Sequence, residues 1–332
     1  MRFADRIDPE LRGGLAFYEM LGLAQHQTLE GDTITALRRR GTEMLAAVLA
    51  TLPHDERVRT EDRTIDRAGV EVPVRLYRPV DADHSLPALV WMHGGGMMFG
   101  DVEASGMACE RYAAEVGCVI VSVNYRLAPE HPYPAAIKDC YAAAVWTAEH
   151  AEELGIDVTR IAVGGESAGG GLAAGTALLA RDRGGPRFAL QVLAYPMLDD
   201  RNDTPSASEF DNIPSWSSRH NDGAWRALLG DRVGTDIVEP YAAPARATDL
   251  SGLPPALIQV GELDTFRDED IDYAARLLRA GVPTELHVYP GAYHAWDVAV
   301  PGARQAMQAF DERIAALRRA LMAGPVEGDI RS

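Results

Sequence analysis

The stretch RIAVGGESAGGGLAAGTALLARD (160–182) decides the architecture. Its first residues form a short apolar run that reads as a buried strand, and its last fourteen are small and apolar at helical spacing. Between them stands Gly165-Glu166-Ser167-Ala168-Gly169, a G-x-S-x-G pattern in the strand-turn-helix context of a nucleophile elbow. The flanking positions are glycine because a side chain at either would crowd the tight turn. Such a turn pushes the Ser167 hydroxyl out at the C-terminal edge of a sheet, above a helix N-terminus. The plain alternative is a glycine-rich turn whose serine only caps a helix.

Working outward, the same alternation recurs. VPVRLYRP (72–79) alternates like a half-buried strand, while PALVWMH (87–93) and CVIVSVNY (118–125) are continuous apolar runs. FALQVLAYP (188–196), PALIQVGE (255–262) and TELHVYP (284–290) follow. Helical stretches lie at 103–116, 135–153, 268–281 and 302–322. Strands alternating with helices in this way predict a mostly parallel sheet covered on both faces. Residues 1–55 read as helical, with one apolar face at Leu15, Tyr18, Met20 and Leu21 and another at Leu37, Met44, Leu45, Val48 and Leu49. Residues 198–250 break the rhythm with Asp, Asn, Ser and Pro clusters around Trp216 and Trp225. A structureless loop of that length is improbable in a compact domain, so an insertion with short helices of its own is expected. Together with the N-terminal helices it would cap the strand ends.

A second signal is His93-Gly94-Gly95-Gly96, at the end of the run 87–92. Three glycines expose successive N–H groups with no Cβ in the way, as an oxyanion hole requires. A phosphate-binding loop is the competing reading, but the spacing of Gly94, Gly95, Gly96 and Gly100 does not match the dinucleotide fingerprint. His93 itself reads as structural. A serine nucleophile needs a base. In α/β-hydrolases the chain order is serine, then acid, then histidine. Only His220, His287 and His294 follow Ser167. His220 falls in the insertion and His287 within a strand, which leaves His294, in the loop after the last strand. For the acid, Glu262, Asp264, Asp268, Glu269 and Asp270 are candidates. Glu262 is still strand-like, and the last three sit in a helix first turn where acids are favoured whatever the function. Asp264 is the loop residue between them.

HGGG at 93–96, YRLAPEHPYPAA (125–136), GGESAGG (164–170), LDTFRDED (263–270) and YHAW (293–296) together resemble the hormone-sensitive-lipase-like, bacterial family IV esterases. LGIDVTRIAVGGESAGGGLAAGTALLARD and YAAPARATDLSGLPP are further similar to the bacterial heroin-esterase and acetyl-esterase subgroup. The resemblance spans about residues 60–320. It implies an α/β-hydrolase fold: an eight-stranded, mostly parallel sheet, helices on both faces and a helical cap. The expected division is N-terminal cap helices at 1–55, a catalytic domain at 56–197 and 236–322, a cap insertion at 198–235, and a tail at 323–332.

The resemblance also implies Ser167 as nucleophile, His294 as base, and Asp264 as the group orienting it. Gly95, Gly96 and the N–H of Ala168 would form the oxyanion hole, with Gly94 ranking behind them. Tyr125, Arg126 and Glu130 would buttress the floor, with a cis proline at Pro129 or Pro134. This chain departs from the family at Met97-Met98, where an aromatic residue is usual, at Glu166 in place of Asp, at Thr265-Phe266 and Asp270, and at Ala295-Trp296. Met97, Met98 and Trp296 are therefore expected to shape the substrate pocket.

The implied activity is hydrolysis of short-chain carboxylic esters, acetyl to about hexanoyl, with no cofactor and no metal. Lactone, arylformamide or activated-amide hydrolysis by the same groups is the alternative. A small-molecule receptor on this fold is expected to have lost one of the three catalytic groups, and here all three are present. With 32 Lys and Arg against 49 Asp and Glu, the net charge is −17. Such a surface repels phosphate backbones and anionic membranes. No apolar run is long enough to span a membrane and no secretory leader is read at the start. Cys109, Cys118 and Cys140 read as buried thiols of a reducing compartment, which makes a cytoplasmic protein the expectation. A homodimer through 283–289 and 302–322 is the family analogy.

Overall fold

The computed structural model describes residues 2–24, 29, 31–49, 54–67, 69–82 and 84–322. The tail expected at 323–332 lies outside them, as do the side chains of Val48 and Leu49. Eight strands form one sheet: β1 (Val58–Arg67), β2 (Val70–Pro79), β3 (Leu86–Met92), β4 (Val119–Val123), β5 (Ile156–Glu166), β6 (Gln191–Ala194), β7 (Ala256–Leu263) and β8 (Thr284–Tyr293). Their order is β1-β2-β4-β3-β5-β6-β7-β8. The β1–β2 and β2–β4 pairs are antiparallel and the remaining pairs are parallel.

β1 does not announce itself in the sequence, because VRTEDRTIDR carries charge on both faces. It is an edge strand that buries Val58 on one face of the sheet and Ile65 on the other. Register with β2 over its full length holds it, from Val58 opposite Pro79 to Arg67 opposite Val70. Its charges are matched across the edge, where Arg75 donates to Asp62 and Arg63 to Glu61 and Glu153. The exposed charge also protects an edge that could otherwise pair with another chain.

β3 is buried along its whole length, and its alternate side chains divide between two cores. Leu89 and Trp91 meet Tyr112 of α4 (Gly106–Tyr112) and Ile314, Leu317 and Leu321 of α11 (Arg304–Met322). Ala88, Val90 and Met92 face the larger core with α5 (Ala135–Glu149), α6 (Ala168–Arg183) and α9 (Arg267–Arg279). Helices thus cover both faces of the parallel sheet, as expected. The three cysteines are free and buried.

The N-terminal region holds α1 (Phe3–Arg6), a 3₁₀ turn at Pro9–Gly14, α2 (Leu15–Leu21) and α3 (Gly31–Leu49). Met20, expected on the inner face of α2, is 51 % exposed, whereas Tyr18 is buried. The insertion builds α7 (Pro205–Glu209) and α8 (Ser218–Leu229). Thr204 caps α7 through its hydroxyl, which accepts from the Ala207 N–H, and Pro205 starts the first turn. A short helix α10 (Trp296–Ala299) follows β8. Among the described residues no helix is long and apolar enough to cross a membrane.

Candidate active site

Ser167 sits at the junction of β5 and α6 with φ 53° and ψ −119°, a conformation that costs a non-glycine residue about 1–3 kcal/mol. Neighbours over-determine it. Its N–H donates to the Ala194 carbonyl at 2.9 Å, and its carbonyl accepts from Gly171 and Met197. The turn closes only because Gly169 lacks a Cβ; an added one would stand 2.1 Å from the Met92 carbonyl oxygen. The chain can therefore present a hydroxyl at this spot only between glycines.

The loops after β7 and β8 end at the same sheet edge. The His294 Nε2 lies 2.9 Å from Ser167 Oγ, and its Nδ1 lies 2.8 Å from Asp264 Oδ2. An ionised carboxylate only accepts, so Nδ1 carries the proton and Nε2 is left to accept from the serine hydroxyl. Asp264 is held in turn by the Phe266 N–H at 3.0 Å. All three residues are buried, and the imidazole edge packs against the Tyr195 and Phe266 rings, each 5.0 Å away. Tyr18 of α2 donates to the His294 carbonyl.

The rival residues are engaged elsewhere. His220 belongs to the Ser217 cap of α8, and His287 faces Glu285 at 2.8 Å. Glu262 accepts from the Gly291 N–H, Asp268 from Ser206, and Glu269 from Leu198 and Asp199. Asp270 is buried with no partner for either carboxyl oxygen among the described residues, and burial pushes its acid range well up.

The glycine loop is set peptide by peptide, since each planar unit fixes an N–H opposite to its carbonyl. The His93 carbonyl accepts from Tyr125 Oη at 2.7 Å. The Gly94 carbonyl accepts from His93 Nδ1 at 2.8 Å, which aims the Gly95 N–H the other way. The Gly95 carbonyl accepts from Met98 and Phe99, which aims the Gly96 N–H. Gly95 and Gly96 have φ of 119° and 58°, the region that favours glycine. Ala168 opens α6, where first-turn N–H groups have no partner within the helix. His93 is fully buried and stacked on Tyr125, and desolvation lowers its titration to about 4, so it stays neutral. Arg126 pairs with Asp139 through both prongs, and the peptides before Pro129 and Pro134 are both cis.

A cleft of about 320 Å³ opens over Ser167 and His294. Its walls come from Phe17, Leu21, Leu37 and Leu45 of the N-terminal helices, from Phe99 and Leu127, and from Trp216 of the insertion. Met97, Met98 and Trp296 do not line it. Each is at most 1 % exposed and points into the core, Met97 because its φ of 61° turns the loop over, Trp296 because it packs between Tyr195 and Tyr289. The N-terminal helices were expected to form a cap; what the sequence missed is that Phe17, Leu21, Leu37 and Leu45, rather than Met97, Met98 and Trp296, supply the walls over Ser167. A larger hollow of about 950 Å³ beside α8 contains none of the three converging side chains. Its Arg201, Arg219 and Arg226 are each taken by an aspartate.

Beneath the cleft, Tyr195 donates to Asp297 Oδ1 at 2.8 Å, and Asp297 is paired with the buried Arg313 of α11. Arg313 also donates to Gln259 Oε1 at 2.6 Å.

Residues 89–298 match the family model described as alpha/beta hydrolase fold. The chain is 41 % identical over 272 residues to carboxylesterase NlhH of Mycobacterium tuberculosis, covering 80 % of this chain and 84 % of that protein. It is 37 % identical over 291 residues to esterase LipI of the same organism, covering 86 % and 88 %. Among solved structures, bacterial heroin esterase superposes with a TM-score of 0.88 at 40 % identity, covering 96 % of this chain and 98 % of that one. The chain thus belongs to the α/β-hydrolase fold family, in its hormone-sensitive-lipase-like branch of carboxylic ester hydrolases.

Proposed function

We propose that the protein is a serine carboxylesterase that hydrolyses short-chain esters, acetyl to about hexanoyl, through an acyl-enzyme. The observation that carries this reading is the hydrogen-bonded line from Ser167 Oγ through His294 to Asp264 at an elbow beside bare glycine amides. Ser167 attacks the ester carbonyl as its proton passes to His294 Nε2. The N–H groups of Gly95, Gly96 and Ala168 take the charge on the tetrahedral oxygen. His294 then protonates the departing alcohol, and next draws a proton from the water that releases the acid. Asp264 keeps the imidazole in the required tautomer and balances its transient positive charge.

The N-terminal helices and the insertion act as the cap. Support for a short acyl group lies in the small volume of the cleft and its apolar walls. The reaction is balanced with water alone, so neither cofactor nor metal enters it. The partner is a small neutral ester rather than a nucleic acid or a membrane.

The test is turnover of 4-nitrophenyl esters from acetate to laurate by the wild type and by Ser167→Ala, with fluorophosphonate labelling mapped to one serine. Rates that peak below the octanoate and vanish in the variant support the reading. Activity rising toward long-chain esters at an oil interface overturns the chain-length assignment, and activity that survives in the variant overturns the mechanism.

A further inference from the structure

The acid that precedes the nucleophile has no part in the reaction just described, yet it faces the cleft. Glu166 ends β5, and its side chain runs under the glycine loop. A Cβ built on Gly94 would lie 3.2 Å from Glu166 Cγ and 3.5 Å from Ser167 Cβ. Glu166 Oε1 accepts from Ser105 Oγ at 2.9 Å, and Ser105, ahead of α4, is 2 % exposed. Of the three loop peptides, the second and third have their carbonyls held by the loop's own groups, His93 Nδ1 and the Met98 and Phe99 amides. The first joins His93 to Gly94. Its carbonyl end is held by Tyr125, and at its Gly94 end the Glu166 side chain packs close beneath the Cα.

We propose that Glu166 is a positioning residue of the oxyanion hole: with Ser105 it captures the Gly94 end of the loop, so that the amides of Gly95 and Gly96 converge on Ser167. This inference rests on the esterase reading above and adds to it. It also gives Gly94 a place: its amide favours the Glu166 carboxylate and so serves the anchor rather than the oxyanion. Burial raises the Glu166 acid range, with Asp297 adding to the effect. The Ser105 hydroxyl and the Gly94 amide oppose it by favouring the ionised form. A carboxylate offers acceptors to both donors at once, whereas an amide offers a single oxygen and turns a donor toward the other. The structural alternative is that Glu166 only steadies the start of α6 as a negative charge near its N-terminus.

The two roles separate experimentally. Glu166→Ala, Glu166→Gln and Ser105→Ala are compared with the wild type, with active sites counted by fluorophosphonate labelling carried to completion. The measurements are kcat per labelled site and KM for 4-nitrophenyl acetate. Inhibition is measured with an alkyl trifluoromethyl ketone, which forms a tetrahedral oxyanion, and with its methyl ketone counterpart, which binds as a ground state. The expected result for Glu166→Ala is a loss of kcat on the order of 10²-fold with KM within about 3-fold, the pattern of a missing oxyanion donor. Trifluoromethyl ketone inhibition weakens by the same factor and methyl ketone inhibition stays unchanged. Glu166→Gln and Ser105→Ala fall between, and either carries the test should the alanine variant not fold. A lowered melting temperature with kcat per site and trifluoromethyl ketone affinity at wild-type values overturns the proposal. A wild type that does not turn over the ester fails the esterase reading itself, before any variant is measured.

Discussion

Arg38 and Glu130 meet in a two-pronged ion pair, Nη1 to Oε1 at 2.6 Å and Nη2 to Oε2 at 2.9 Å. The pair joins α3 to the segment after β4. The same guanidinium donates to the carbonyls of Met98 and Ala128, each at 2.6 Å. One side chain therefore ties a wall of the cleft to the end of the glycine loop.

Arg38→Gln removes the ion pair and leaves the carbonyl partners under-satisfied. The ion pair is half exposed and contributes little by itself, but the hydrogen bonds to a charged donor raise the expected loss to about 1–3 kcal/mol of α3 docking. KM for 4-nitrophenyl butyrate should rise several-fold while kcat changes less, and the preference for short chains should weaken. An unchanged chain-length profile would show that α3 is held by its apolar face alone. Arg38→Lys should behave like the glutamine variant, since a point charge cannot make the forked contact.

Ser167→Ala should lower kcat by about 10⁶-fold, the scale of losing a triad nucleophile, with little change in the fold. Ser167→Gly should do the same to activity and yet be more stable. Relief of the left-handed strain, about 1–3 kcal/mol, exceeds the entropy cost of glycine, about 0.5–1 kcal/mol. Calorimetry of the two variants checks this; a glycine variant that melts below the alanine one contradicts the strain argument.

Asp264→Asn keeps the shape of the acid but offers His294 an amide in place of a carboxylate. The imidazole then adopts the wrong tautomer as readily as the right one, and kcat should fall on the order of 10⁴-fold. Stopped-flow acylation kinetics would show the loss in both half-reactions, because His294 serves both. A defect confined to deacylation would contradict this role.

His93 links stability to pH. Folded, it titrates at about 4 because it is buried. Unfolded, it takes a proton near the ordinary imidazole value of about 6.5. Above that value neither state is protonated and the group is neutral in its effect. As pH falls from about 6.5 toward 4 the unfolded state alone gains a proton, and stability is lost, up to about 3 kcal/mol at the lower end. The buried acids Glu269 and Asp270 act with the opposite sign, since the folded state favours their protonated forms. The His93 contribution is isolated by comparing the wild type with His93→Asn: the difference in melting temperature should narrow from pH 7 to pH 5. A constant difference would exclude a buried neutral imidazole.

The parts of the fold that were legible from residues are those whose burial is complete. β3 and β4 are continuous apolar runs because both faces of the sheet are covered, and their boundaries, like those of β7, fall within two residues of expectation. β1 was not legible, because it is held by full-length pairing with β2 while burying only Val58 and Ile65, and the charges of VRTEDRTIDR mask the pattern. Ser167, Asp264 and His294 could be picked out because each lies just beyond a recognisable strand, and parallel strands bring such positions to one edge. Met97, Met98 and Trp296 show the limit of that logic. Adjacency along the chain places a backbone, not a side chain, and a single left-handed residue sends Met97 inward. The cleft walls come from Phe17, Leu37 and Trp216, distant in sequence from the chemistry they enclose.

The buried pairing of Arg313 with Asp297 has a consequence for assembly of the molecule. Tyr195, whose ring touches His294, is anchored to Asp297, and among the described residues the side chain that pairs with Asp297 as a counter-ion is Arg313 of α11. Until α11 docks, that aspartate lacks its guanidinium partner, and removing one member of a buried pair costs about 3–5 kcal/mol. A chain in which α11 has not docked thus carries every reacting group but not the counter-ion beneath them, so hydrolytic competence follows docking of that helix rather than formation of the catalytic loops.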